Sequence, residues 1–284
     1  MNHPAGKPVL ITGCSSGIGR CLALGLRARG YWTFAAARHR ADLRDLAEAG
    51  CDILELDVNR SESIVAAVDL VLERTGGHLY GLCNNAGYEQ PGAVEDLSRD
   101  ALRRQLETNL LGAHELTCRV LPAMRRQGEG RIIQMSSVLG LVALPLRGAY
   151  VASKFALEGL TDVLRLELMG SGLYVSLVEP GPIDTPFRSK SWAAFQSGIN
   201  PEASPHAERY RILGQRLTAP GPKSPFMLPP EAVLKRVLHA LESRRPKPRY
   251  YLTLPTRALV LVRRLLSTRQ LDWLLARIAG PSGH

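Results

Sequence analysis

The chain of 284 residues has no run of about 18 consecutive apolar residues, so none of its segments reads as a membrane-spanning helix. Its opening stretch, MNHPAGK, lacks the character of a secretory leader and runs straight into an apolar, strand-like segment. No CxxC pair occurs. The five cysteines, Cys14, Cys21, Cys51, Cys83 and Cys118, are odd in number and widely spaced, which fits reduced thiols in a cytoplasmic protein better than a disulfide frame or a zinc site. No metal site, internal repeat or low-complexity tract is apparent. A basic stripe through the main body is missing too. The net charge is +10, but residues 244–284 hold nine Arg or Lys against one acid, Asp272, and so carry +8 of it. The balance of +2 over the other residues removes most of the support for a nucleic-acid partner. What is present, 45% apolar and 22% charged residues, is the composition of an ordinary globular protein with one large α/β domain or, at a stretch, two small ones.

Short apolar runs alternate with longer amphipathic ones over the first 185 residues. Strands are expected at Pro8–Thr12, Tyr31–Ala37, Cys51–Leu56, Leu79–Cys83, Arg131–Ser136 and Leu173–Val178, with helices near 17–29, 61–75, 99–127 and 149–169. The strand runs are continuously apolar, as a sheet covered on both faces requires. Such alternation implies a single Rossmann-type, doubly wound parallel sheet of about seven strands with helices on both faces. After Pro186 the character changes. Residues 186–230 are rich in Ser, Pro, Gly and Lys, offer one convincing helix near His206–Leu217, and read as a substrate-binding loop or lid. A helix at Glu231–Ser243 and a last strand at Pro248–Thr253 follow. The expected division is a nucleotide-binding catalytic domain over 1–255 and a basic amphipathic extension over 256–284.

Strand Pro8–Thr12 leads into TGCSSGIG and then the helical run Arg20–Arg29. Gly13 permits a sharp strand-to-helix turn, Gly17 lets a pyrophosphate approach the backbone, and Gly19 allows tight packing. Ser15 and Ser16 add hydroxyl donors, and the N–H groups of the helix start favour an anion. Gly13, Ser15, Ser16, Gly17, Ile18 and Gly19 are therefore expected cofactor contacts, although the spacing is GxxxGxG and not the general GxGxxG. An acid at the end of the second strand would take the ribose 2′-OH of NAD. The sequence places Ala36 and Ala37 there, followed by Arg38 and Arg40, and Arg38 suits the 2′-phosphate of NADP(H).

GAYVASKFALEGL sets Tyr150 and Lys154 four residues apart on one helix face. A nearby ammonium favours a phenolate, which would let Tyr150 act as general acid or base near neutral pH. The pattern alone is common, but it has company. Ser137 closes the strand RIIQMSS at the sheet edge where ligands of open α/β folds bind, and Asn109 is polar within an otherwise apolar helical stretch.

With TGCSSGIG, Asp57 in LELDV, NNAG at Asn84–Gly87, Asn109, Ser137, Tyr150/Lys154 and PGPIDT at Pro180–Thr185 in order, the chain resembles the short-chain dehydrogenase/reductase family. No departure from the pattern touches a catalytic position. PKPRYYLTLPTRAL, beyond the long loop, resembles the hydroxysteroid and retinol dehydrogenase branch more loosely. The resemblance implies NADP(H)-dependent interconversion of a carbonyl and an alcohol. It implies Tyr150 as general acid or base, Lys154 lowering its pKa and binding the nicotinamide ribose, Ser137 holding the carbonyl oxygen and Asn109 holding a relay water. It also implies that Asp57 and Val58 meet the adenine, Asn84, Ala86 and Gly87 the adenosine ribose region, and Pro180, Gly181, Ile183 and Thr185 the nicotinamide side.

Leu139, Val142, Leu144, Leu146, Phe187, Trp192 and Phe195 could line an apolar pocket, which suits a steroid, retinoid or long-chain carbonyl. The tail Thr256–Ile278 is apolar at helical spacing with arginines between, and suits packing on protein or peripheral contact with an anionic membrane. A dimer or tetramer through the helices of Asn109 and Tyr150 is implied by the family. Two other readings stay open, a catalytically silent NADP-binding regulator and, less favoured, an epimerase or dehydratase, which would carry a larger C-terminal domain.

Overall fold

A computed structural model describes residues 6–219 and 225–279. Seven strands form one parallel sheet in the order β3-β2-β1-β4-β5-β6-β7. They are β1 Pro8–Thr12, β2 Trp32–Ala37, β3 Asp52–Glu55, β4 Gly81–Asn84, β5 Gly130–Met135, β6 Leu173–Glu179 and β7 Arg249–Tyr251. All pairings are parallel, and the order reverses between β1 and β4, so the doubly wound reading holds and a crevice opens at that switch point. The strand interiors are apolar throughout because both faces are covered: Val9, Leu10 and Ile11 are fully buried in succession.

The helices are α1 Gly17–Ala28, α2 Arg44–Glu48, α3 Ser61–Arg74, α4 Arg99–Leu106, α5 Gly112–Gln127, α6 Gly148–Glu167, α7 Phe187–Gly198, α8 Ala207–Thr218, α9 Glu231–Glu242, α10 Leu254–Leu265 and α11 Thr268–Ala279. One core joins a sheet face to α1, α2 and α9 through Leu22, Leu26, Leu46 and Val237. The other joins the opposite face to α3 and α5 through Ile64, Val68, Leu116 and Val120.

Three expectations need correction. The helix expected over 99–127 is interrupted by a π-turn, Glu107–Leu111, that contains Asn109. The segment 186–230 holds two described helices and not one, and residues 220–224 of it lie outside the described residues. α7 was hidden by its weak amphipathicity: Trp192 and Phe195 face a small core of their own with Leu146, Ile199, Tyr210 and Leu213. The tail is two helices, α10 and α11, separated after Leu265. α10 begins at Leu254, capped by Thr253, whose hydroxyl accepts from Thr256 N at 3.3 Å. Among the described residues no helix is long and apolar enough to cross a membrane. The five cysteines are free thiols.

Candidate active site

A cleft of ≈ 980 Å³ runs along the carboxyl ends of the strands, from the β1–α1 turn to Tyr150 and α7. Eighteen of the twenty residues expected at the site line it: Gly13, Ser15, Ser16, Gly17, Ile18, Gly19, Arg38, Asp57, Val58, Ala86, Gly87, Ser137, Tyr150, Lys154, Pro180, Gly181, Ile183 and Thr185. Asn84 and Asn109 do not.

Gly13 and Gly17 have φ of +72° and +56°, a left-handed backbone that glycine adopts without penalty. Gly19 is fixed by contact, since a Cβ there would lie 2.2 Å from Gly13 O. Ser16, the residue before α1, is extended and makes no side-chain cap bond, and the first turn of α1 carries no acid. The hydroxyl and the N–H groups at this helix start could hold a phosphate. A Cβ at Gly17 would lie 3.1 Å from Thr185, so the turn and the segment after β6 meet across the cleft. The turn is tied to β4 by Thr12 and Asn85. Thr12 Oγ1 accepts from Asn85 N (3.0 Å) and Ala86 N (2.9 Å), and Asn85 Nδ2 donates to Thr12 O (2.8 Å).

The NNAG motif divides its two asparagines. Asn84 faces the core, where Nδ2 donates to Thr117 Oγ1 (2.9 Å), Gln134 Oε1 (3.1 Å) and Ala113 O (3.2 Å). As the last residue of a strand it points away from its neighbour, so Asn85 is the one that reaches the cleft. Asp57 Oδ1 accepts from Asn59 N at 3.0 Å, which fixes the turn that presents Val58.

Lys154 is buried in α6, and its ammonium lies 5.7 Å from the Tyr150 ring centre and donates to Met135 O at 2.7 Å. Burial lowers its pKa to about 8, opposed by the Glu158 carboxylate. Tyr150 is held well above the ordinary tyrosine range, first by burial and then by Glu89, with a Ser137 hydrogen bond acting the other way. Burial of the phenol thus dominates its pKa, and the lowering expected from Lys154 does not prevail. Ser137 Oγ accepts from Leu139 N at 3.1 Å, which fixes the hydroxyl beside Tyr150.

Asn109 stands behind Lys154, with Gly87 between them. Its Nδ2 donates to Tyr88 O (2.9 Å) and Ser153 Oγ (3.1 Å), and its Oδ1 accepts from Tyr88 N (3.0 Å). Both amide donors are thus spent on protein. The side chain pins the π-turn to α6, and the water-holding role expected of it cannot rest on those donors.

Of the residues expected in a substrate pocket, Leu139, Leu144 and Phe187 line the cleft, and the Phe187 ring lies 6.0 Å from that of Tyr150. Val142, Leu146, Trp192 and Phe195 do not line it; Leu146, Trp192 and Phe195 serve the small core under α7 and α8. Sequence reasoning missed several polar groups. Lys190 of α7 donates to Ser16 Oγ at 2.7 Å, and burial, then the Arg38 charge, lowers its pKa. Arg147, Arg188 and Glu89 enter the wall near Tyr150. A hint of Arg147 lay in the GAYVASK segment it precedes; nothing marked the others.

Residues 7–195 match the short chain dehydrogenase family model. The uncharacterized oxidoreductase YbbO of Escherichia coli K12 is 43% identical over 269 residues, covering 95% of this chain and 94% of that protein. Human retinol dehydrogenase 8 is 34% identical, covering 85% and 80%. A Burkholderia phymatum short-chain dehydrogenase/reductase, solved in complex with NAD, superposes with a TM-score of 0.76 at 25% identity over 96% of this chain and 97% of that one.

Proposed function

This chain belongs to the short-chain dehydrogenase/reductase family, on its hydroxysteroid/retinol dehydrogenase branch, and we propose that it is an NADP(H)-dependent reductase and dehydrogenase of lipophilic carbonyls and alcohols. The observation that carries this reading is the convergence of Ser137, Tyr150 and Lys154 at one end of a cleft whose other end is a glycine-built phosphate cradle. When bound, the nicotinamide supplies or accepts hydride.

At Gly13, Gly17 and Gly19 a Cβ would meet Ala86, Thr185 and Gly13 O, so glycine lets the turn close tightly enough to present its backbone N–H groups, which fits a pyrophosphate. Arg38 and Lys190 bring two cations to the far end of the turn, which supports NADP(H) over NAD, even though the Burkholderia relative was solved with NAD. Ser137 donates to the substrate oxygen, and Tyr150 gives that oxygen its proton in reduction and takes it in oxidation. Lys154, cationic at neutral pH, offsets the burial of Tyr150 once the positive charge of the oxidised nicotinamide adds to it. Proton exchange with solvent passes by the π-turn that Asn109 secures.

Leu139, Leu144 and Phe187 support a lipophilic substrate. The exposed row Leu160, Val163 and Leu166 on α6 supports self-association, and exposed Leu265, Trp273 and Ile278 among the tail arginines support a surface contact of the tail with protein or an anionic membrane. The mechanism is tested with Tyr150→Phe. Turnover should fall by about 10²–10⁴-fold while cofactor still binds; undiminished turnover would sink it.

A further inference from the structure

The wall of the cleft beside Tyr150 holds two guanidiniums, Arg147 and Arg188, among apolar side chains. Arg147 Nη1 lies 2.9 Å from Glu89 Oε2, yet it is buried and forms no hydrogen bond with that oxygen. The Ser191 hydroxyl approaches the same Glu89 oxygen at 3.0 Å. A guanidinium carries five N–H donors. Among the described residues no side-chain donor of Arg147 or Arg188 is hydrogen-bonded to protein. Burial disfavours the charge on Arg188, Asp184 opposes that, and Arg147 is close enough to add to it. Leu146, immediately before Arg147, is the one non-glycine residue at positive φ (+62°) among the described residues, a sparsely populated backbone.

We propose that the substrate is a lipophilic carbonyl or alcohol that also carries a carboxylate remote from the reacting carbon, and that Arg147 and Arg188 bind that carboxylate. The proposal rests on the reductase reading above and names its substrate class. An uncharged lipophile filling this end would strip water from two guanidiniums and return no hydrogen bond. A carboxylate accepts from both and relieves their repulsion, and its desolvation is repaid by charge-assisted bonds. The phosphates of a cofactor are served elsewhere, by the β1–α1 turn, Lys190 and Arg38. Glu89 sits beside Arg147 and Asp184 acts on Arg188 through space, yet neither carboxylate takes up the guanidinium donors by a hydrogen bond.

The test compares NADPH-dependent reduction of ω-oxododecanoic acid with that of its methyl ester, which differ only at the far end, where the ester removes the charge. The wild-type chain should favour the acid by about tenfold or more in kcat/KM, and added salt should shrink the preference. Arg147→Gln should bring the acid-to-ester ratio toward one. Because Arg147 also touches Glu89, Arg188→Gln provides a second variant free of that tie, and Arg188→Lys should keep part of the preference. Equal use of acid and ester by the wild type, or a ratio that survives in both glutamine variants, overturns the proposal and leaves the reductase reading standing. Turnover of neither compound while other long-chain aldehydes are reduced overturns the proposal alone; no turnover of any carbonyl overturns the reductase reading with it.

Discussion

Between Pro8 and Thr185 the groups facing the cleft hang from strand ends, the first turns of helices and the loops that join them. Beyond Pro186 the cleft is closed by α7 and α8, whose Phe195, Tyr210 and Leu213, with Ile199, form a small core separate from the two against the sheet and share it with Ala93 and Leu146. The first region is positioned by a sheet buried on both faces and by short backbone ties such as Thr12 to Asn85 and Ala86. The second is held to it by that shared core and by polar links, among them Lys190 to Ser16, Ser191 to Glu89, and Tyr210, whose hydroxyl bonds Asp96 and accepts from Ala93 N at 2.9 Å. The difference teaches where each property resides. On the proposed reading, cofactor chemistry belongs to the sheet edge and substrate choice to the elements after Pro186.

That division can be broken by substitution. Phe195→Ala empties the small core and should cost about 3–5 kcal/mol, read as faster proteolysis and hydrogen exchange over 186–219 with cofactor affinity little changed. Equal loss of cofactor binding would mean that the two regions fold as one. Gly19→Ala drives a Cβ to 2.2 Å from Gly13 O, and opening the turn should weaken cofactor binding by about 10²-fold. A titration showing unchanged affinity would remove the cradle from the account. Arg38→Ala should weaken NADPH by about tenfold and leave NADH nearly untouched. Equal effects on both cofactors would overturn the preference for NADP(H).

The smallest effect is one of pH. Burial raises the Glu179 carboxyl to about 8, with Glu158 adding to the shift and Arg249 opposing it. The folded state therefore keeps a proton that the unfolded chain loses near pH 4.3. The stability this gives is present in full below that pH and is lost as pH rises to about 8. Melting temperatures of the wild type should fall against those of Glu179→Gln by about a few degrees from pH 5 to 8. A constant gap would contradict the raised carboxyl.

Much of the first region was legible because its signals are local. A buried parallel strand must be apolar throughout, and a phosphate turn must place glycines where a Cβ cannot fit, so β1, Gly13, Gly17 and Gly19 could be read directly. Asn84 was misplaced because adjacent strand residues point to opposite faces, and the motif alone does not say which asparagine turns toward the cleft. Asn109 was found, but its role depended on a π-turn that no periodicity announces. Beyond Pro186 legibility fell. α7 has apolar residues that serve a satellite core, so its pattern is faint, and Lys190 and Arg188 matter only through partners far away in sequence. Arg147 is near Tyr150 in sequence, yet its meaning comes from Glu89 and Arg188, which only the fold brings beside it.

The central claim is that this cleft reduces a carbonyl at the expense of NADPH. It is tested most directly by mixing the wild-type chain with NADPH and a long-chain aldehyde and following cofactor absorbance and alcohol together. The account predicts one NADPH consumed for each alcohol formed. Tight binding of NADPH with no consumption, across aldehydes and ketones alike, would contradict it and leave a cofactor-binding protein without this chemistry.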